Sequence, residues 1–297
     1  MKTLYLSFTD FWEGHDPLNN ILTNAIKDYL DTEVVIVEPK HADVCFVTIY
    51  GRSHPTILSQ HTSKSILWLG ENKRPNTYPC RFSISFDFSS YNKTNLRFPL
   101  WLSEIDWYDT GLGVISKDEC VDLLVKPRDI SPSDIQEREF CITIFNNPEG
   151  TRLEALRILN SLSPVTGYGR PFGNWFPTYD TYRDKLKKMN RYLFNLCPEN
   201  SLYPGYYTEK CIHAKIAGCI PIYMADSYVS EDFRSDSFVN LYHYHDMTNL
   251  SNRIKSLMDN KRLAVDILNT PLLYSAPNLD KLGSFLKFAI SSIIAGH

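Results

Sequence analysis

The sequence lacks any apolar run near the roughly 20 residues that a membrane-spanning helix needs, so a bilayer-embedded protein is not expected. It lacks a strong charge of either sign. Its 31 Lys and Arg stand against 34 Asp and Glu, a formal net charge of −3, and no basic tract offers a seat for nucleic acid. It also lacks a Cys-x-x-Cys pair. The seven cysteines (Cys45, Cys80, Cys120, Cys141, Cys197, Cys211, Cys219) are scattered and odd in number, which argues against a zinc cluster or disulfide framework and for reduced thiols in a cytosol. Internal repeats and low-complexity tracts are missing too. The chain opens on the strand-like Thr3-Leu4-Tyr5-Leu6-Ser7-Phe8, so no leader peptide is expected. The expected setting is cytoplasmic, with at most a peripheral contact at the inner face of a membrane.

What is present is alternation of short strands and helices, over a length of 297 residues that suits two domains. Strand patterns fall at Thr3–Phe8, Val34–Val37, Val44–Ile49, Ser65–Leu69 and Phe82–Phe86. Between the first two, Ile21, Leu22, Ala25, Ile26 and Tyr29 recur at helical spacing, predicting a helix over Asn19–Tyr29. From about Leu102 to Glu137 the pattern dissolves into charged and Pro-containing sequence, which sets a boundary near residue 136. A second series follows: a strand over Glu139–Phe145, a helix over Thr151–Leu162, a strand at Val165–Thr166, a helix over Thr178–Arg191, a strand at Phe238–Leu241, and helices over Met247–Met258 and from Leu263. The expected organisation is α/β, with Rossmann-like domains at residues 1–136 and 137–270 and a helical tail, 271–297, packing back on the first.

The most informative segment lies between Tyr192 and Met224. Tyr192–Cys197 reads as a buried strand, Pro198–Tyr207 as a turn-rich loop, and a helix opens at Thr208, a good N-cap. Gly218 closes that helix and Cys219–Met224 is the next strand. Strand–loop–helix–strand units of this kind bind ligands beyond the strand's carboxyl end, and anions at the helix N-terminus. Lys210 sits in the first helical turn, where the helix dipole disfavours a cation. A phosphate-bearing ligand would answer that placement.

The same segment resembles the signature of the bacterial and animal alpha-1,3/4-fucosyltransferases, glycosyltransferase family 10. The matching pieces are Phe194, Glu199-Asn200-Ser201, Gly205-Tyr206-Tyr207-Thr208-Glu209-Lys210 and Ile220-Pro221-Ile222-Tyr223. Upstream echoes include Leu69-Gly70-Glu71-Asn72 with Arg74-Pro75, Ser85-Phe86-Asp87, Arg97-Phe98-Pro99-Leu100 and Pro164-Val165-Thr166-Gly167-Tyr168-Gly169. Downstream, Asp232-Phe233 and Ser237-Phe238-Val239-Asn240 also fit. The chain departs from the pattern at Tyr203-Pro204, at Tyr207, where relatives have a small aliphatic residue, and at Tyr223-Met224-Ala225-Asp226, where many have Tyr-Trp-Gly. These positions are expected to line or border the donor pocket.

The resemblance implies the GT-B architecture, two Rossmann-like domains facing across a cleft, the first (1–136) binding the acceptor and the second (137–270) the GDP-sugar donor, and a soluble bacterial type of enzyme. It implies an inverting transfer of fucose from GDP-fucose to an oligosaccharide or glycolipid acceptor, with an alpha-1,3 linkage, in the biosynthesis of a bacterial surface glycan. Glu71, after the strand Ser65–Leu69, is the implied general base; a carboxylate suits that task when partial burial lifts its pKa. Arg152 and Lys210 are the expected ligands of the diphosphate, Arg152 by a bidentate fork and Lys210 as a point charge. Glu209 is linked by the resemblance to donor-sugar or ribose hydroxyls, and Asn200 and Tyr206 to the nucleotide side. No Asp-x-Asp triplet occurs, so the divalent-metal handle of GT-A transferases is missing, and no metal or other cofactor is expected. His243, His245 and Asp246 look metal-like but read better as a solvated edge. The alternatives are the same fold using another GDP-sugar, or a sugar-nucleotide- or glycan-binding protein without turnover.

Overall fold

Val44–Val47, Ser65–Trp68 and Phe82–Ser85 are buried at every position, which requires cover on both faces and so a parallel sheet flanked by helices. The computed structural model, which describes residues 3–91, 93–111, 113–148, 150–175, 182–244 and 246–296, has such a sheet in each of two units. Unit 1 comprises Met1–Gly113 and Pro277–His297. Its strands are β1 (Thr3–Thr9), β2 (Glu33–Ile36), β3 (Val44–Val47), β4 (Ser65–Trp68), β5 (Phe82–Ser85) and β6 (Asn95–Arg97), parallel throughout in the order β2-β1-β3-β4-β5-β6. A short β7 (Ile105–Asp106) lies outside this sheet, and α1 (Ile21–Leu30) and α2 (His54–Gln60) are crossovers. Helix α1 starts where the Asn20 side chain accepts the N–H groups of Leu22 and Thr23.

Unit 2 is Val114–Ala276. It begins with β8 (Ile115–Ser116) and α3 (Lys117–Cys120), then builds a parallel sheet from β9 (Glu139–Ile144), β10 (Val165–Tyr168), β11 (Tyr192–Leu196), β12 (Ile220–Tyr223) and β13 (Val239–Asn240). The order is β10-β9-β11-β12-β13. Its helices are α4 (Thr151–Leu162), α5 (Tyr182–Met189), α6 (Glu209–Ile216), α7 (Met247–Asp259) and α8 (Lys261–Asn269). Of the helix expected over Thr178–Arg191, residues 178–181 lie outside those described. Phe194, Leu196, Ile220 and Ile222 form the core with Ala155 and Leu159 of α4, Leu250 and Ile254 of α7, and Leu268 of α8.

The division between units falls at 113/114, where the sequence placed it near 136. Residues 114–136 fold with unit 2 because a few well-separated side chains anchor them there. Arg128 donates to the carbonyls of Lys215 and Ile216 at 2.8 and 3.3 Å, the Ile130 N–H donates to Asn269 at 2.8 Å, and Ile135 is part of the core. The tail returns to unit 1. Its helix α9 (Asp280–Ile294) lies so close to α1 that a Cβ on Gly283 would stand 2.3 Å from the Tyr29 ring. The Tyr29 hydroxyl donates to Asp280 at 2.9 Å, and Phe285 and Phe288 meet the ring of Phe82 edge-on.

Lys215 of α6 is almost fully buried, its ammonium donating to the carbonyls of Ile267 at 2.6 Å and Ser237 at 3.4 Å. Burial, with Arg128 nearby, pushes its pKa down to about 7. An unfolded chain holds that proton up to about pH 10.4, so between about pH 7 and 10 unfolding takes up a proton, and stability from this group rises with pH. Below about pH 7 its desolvation penalty is fully present. Lys215→Met is expected to flatten that slope, which is at most about 1.4 kcal/mol per pH unit for one proton. Urea unfolding at pH 6, 7.5 and 9 checks it; parallel curves for wild type and variant would refute it.

Candidate functional site

The order β10-β9-β11 means that the chain runs outward from β9 to β10 and then returns to the other side of β9. Such a reversal opens a crevice at the carboxyl ends of the two flanking strands. A pocket occupies that place. Ile144 and Phe145 at the end of β9, and Leu196, Cys197 and Pro198 at the end of β11, form its floor. Lys185 of α5 with Glu209, Lys210 and His213 of α6 supply its polar wall. Lys185 and Lys210 stand there against Glu209 and the adjoining Glu199, so the side chains balance and the N-terminus of α6 supplies the positive end.

Glu199 organises this corner. Its carboxylate is buried and accepts the Thr208 N–H (2.8 Å), the Thr208 hydroxyl (2.8 Å) and the Tyr223 hydroxyl (2.7 Å), and pairs with the Lys210 ammonium at 2.9 Å. Lys210 also donates to the Thr208 hydroxyl at 2.8 Å and to Glu209 at 3.2 Å. Thr208 does precede α6 as expected, but its hydroxyl serves Glu199 and Lys210 and makes no capping hydrogen bond to the helix. Burial works against the Lys210 charge, yet Glu199 and Glu209 outweigh it and hold the ammonium above its ordinary pKa. Burial likewise opposes Glu209, but Lys210, His213 and Lys185 bring its pKa down to about 2. The pair is therefore ionised at neutral pH. Burial, reinforced by Glu199, raises the Tyr223 hydroxyl well above the usual range, so it remains a donor.

Glu209 and Lys210 are thus brought together at the pocket. Tyr206 is buried close enough to Lys210 to act on its charge, while Asn200 is exposed on the loop after β11. Arg152 is buried at the start of α4, not paired at the surface. It donates twice to the Pro198 carbonyl (3.2 and 2.8 Å) and once to that of Asn147 (2.9 Å), so it clamps the residue next to Glu199. Glu199, Lys185 and His213 were missed as site residues. Glu199 stood in the quoted motif. The link between Lys185 and His213, whose Nδ1 lies 3.1 Å from the lysine, joins different helices and leaves no sequence trace.

Tyr207 does not line the pocket. It is packed in the core against Phe233, and its hydroxyl donates to Asp226 at 2.9 Å. Two of the departures from the family pattern are therefore partners of each other. Glu71 belongs to unit 1, in the turn after β4, and is exposed rather than partly buried. The neighbouring Arg74 donates to Asp87 (3.1 Å) and Asn72 (2.6 Å) and lies over the Phe86 ring. His245 of the metal-like cluster lies outside the described residues; among those described, no three His, Cys, Asp or Glu side chains gather as a ligand set. No described helix is long and apolar enough to cross a membrane.

Two family models match the chain: the alpha-(1,3)-fucosyltransferase FucT N-terminal domain over residues 6–103 and the glycosyltransferase family 10 (fucosyltransferase) C-terminal model over residues 136–266. The alpha-(1,3)-fucosyltransferase FucT of Helicobacter pylori is 28% identical over 279 residues, which cover 86% of this chain and 58% of that protein. The chain thus spans little more than half the length of that relative. The human 4-galactosyl-N-acetylglucosaminide 3-alpha-L-fucosyltransferase 9 is 26% identical over 137 residues, 45% of this chain and 37% of its own. A solved alpha1,3-fucosyltransferase aligns with a TM-score of 0.75 at 24% identity, over 99% of this chain and 90% of that one. Another, solved with GDP-fucose, aligns with a TM-score of 0.71 at 23% identity, over 98% and 91%. The fold is α/β of the GT-B class, as the alternating pattern and the signature implied.

Proposed function

The chain belongs to glycosyltransferase family 10, and from that premise we propose that it transfers fucose from GDP-fucose to a glycan hydroxyl, forming an alpha-1,3 linkage with inversion at the anomeric carbon. The observation that carries this reading is the ionised Lys210, fixed by Glu199 at the mouth of the switch-point pocket and the N-terminus of α6. A diphosphate suits that position. In the transfer, Glu71 takes the proton of the acceptor hydroxyl as its oxygen bonds to the anomeric carbon. The bond from that carbon to the diphosphate oxygen breaks on the opposite face, and GDP leaves with the electron pair. Lys210 opposes the charge that grows on the leaving diphosphate, a contribution largest in the transition state. Glu209 receives sugar or ribose hydroxyls, and Asn200 and Tyr206 serve the nucleotide side. Arg152 acts by holding the Pro198 carbonyl, and with it the Glu199 loop. The acceptor class follows the human relative's name, a 4-galactosyl-N-acetylglucosaminide.

GDP release from a panel of GDP-sugars, with and without that disaccharide, tests the reading. Turnover of a different GDP-sugar, with GDP-fucose inert, would replace the donor; GDP bound without turnover of any donor would make the chain a binding protein. Lys210→Ala is expected to weaken GDP binding in calorimetry by roughly 1.5–3 kcal/mol, the worth of a charged hydrogen bond. Because protein cations supply the positive charge, transfer should survive excess EDTA. Complete loss restored by manganese or magnesium would overturn the metal-free mechanism.

A further inference from the structure

Three N–H donors of Arg152 go to backbone carbonyls, so the guanidinium expected at the diphosphate is committed to holding a loop. Besides Lys210, the lysine that borders the pocket is Lys185, half-buried on α5. Its charge decides the sign of the wall. Without it, Lys210 stands against Glu199 and Glu209, one positive charge against two negative, and such a wall repels a diphosphate. With it the side chains balance, and the N-terminus of α6 tips the field to positive. The charge does reach the pocket, because Lys185 is among the groups that bring the Glu209 pKa down.

A lysine on a helix surface is ordinarily loose, and its rotatable bonds blunt any one interaction. His213 removes that looseness. It lies one turn after Glu209 on the same face of α6 and is only 1% exposed, so packing fixes the ring. The Lys185 ammonium donates to its Nδ1 at 3.1 Å. An ammonium has no acceptor, so Nδ1 does the accepting and the imidazole carries its proton on Nε2. One of the three ammonium protons serves this contact, and the charge stays at the pocket wall. On the transferase reading above, we propose that Lys185 is the second cation on the diphosphate of the nucleotide sugar, in the place expected for Arg152. It meets the phosphate oxygens from α5 while Lys210 meets them from α6. His213 touches no substrate; it is a positioning residue that holds Lys185 in place.

Calorimetry with GDP tests the assignment without turnover. Lys185→Met keeps the stem and removes the charge, and GDP should bind it about 10- to 100-fold more weakly, the range of one charged hydrogen bond. Guanosine, which has no phosphate, should bind it as it binds the wild type in ligand-observed NMR. A side chain that only supported the fold would lower both. With GDP-fucose, kcat should fall as well, since charge on the diphosphate grows as its bond to the sugar breaks. His213→Leu should weaken GDP about 3- to 10-fold, the range of one neutral hydrogen bond. His213→Asn, whose amide oxygen can accept in place of Nδ1, should restore most of that loss. Full GDP affinity in Lys185→Met, beside the loss in Lys210→Ala, would overturn the proposal and leave the transferase reading standing. Equal losses for GDP and guanosine would overturn it too, and equal losses in the two His213 variants would strike the histidine from it. If no donor were turned over while Lys185→Met lost GDP alone, the phosphate contact would stand and only the transfer reading would fall.

Discussion

Glu71→Gln is expected to lower transfer by about 10²–10⁴-fold, the usual loss when a general base is removed, while GDP binds as tightly as to the wild type. The separation follows from placement. Glu71 lies in unit 1 after β4, whereas the pocket with Lys210 and Glu209 is built wholly from unit 2. Its exposure also makes the variant informative, because surface substitutions of this kind change stability within about 0.5 kcal/mol. A fall in rate would then report chemistry, not unfolding. Turnover and GDP affinity measured on one preparation suffice: a variant as fast as the wild type would remove Glu71 from the mechanism.

Glu199→Gln should cost about 3–5 kcal/mol of stability and weaken GDP binding in the same step. The carboxylate is buried, and its loss leaves the Lys210 ammonium with Glu209 as its remaining carboxylate partner, which weakens a largely buried ion pair from one side. Thr208 and Tyr223 keep a weaker acceptor, so most of the effect belongs to the charge. The double variant Glu199→Gln with Lys210→Met is the decisive comparison. With both charges gone it should be more stable than the two single losses added together predict. Strict additivity in urea unfolding would mean that the two groups are not coupled and that Lys210 is held by something else.

How much of this was legible in the sequence depended on what stabilises each part. Strands covered on both faces, such as β4 and β11, announce themselves as apolar runs, and α4 spans the residues its periodicity predicts. Strand β6 did not, because it is held by polar groups. Asn95 is buried there, accepting the hydroxyls of Ser83 and Ser85 and donating to the carbonyls of Asp87 and Ser89. A sequence of that kind reads as loop. Helix α2 was missed for another reason: it buries only Leu58 and has no side-chain cap. At the site, charge and motif picked out Glu209 and Lys210. The backbone contacts of Arg152 were hidden, since its acceptors there are carbonyls that any residue could supply. Tyr207 and Asp226 looked like two independent changes near the donor because a contact 19 positions apart in sequence cannot be seen from either end.

The tail helix has a consequence for the order in which the molecule can be made. Helix α9 closes over α1 and Phe82, elements translated before unit 2, yet the whole of unit 2 lies between them and α9 in the chain. On the ribosome, unit 1 must wait with the Tyr29 and Phe82 rings uncovered while its neighbour is synthesised, since the residues that shield them follow unit 2 in the chain. Unit 2 is one continuous stretch and has no such delay. The sheet of unit 1 is therefore started before that of unit 2 and sealed after it, and the interval between those events is when this chain has most need of protection from its own apolar surface.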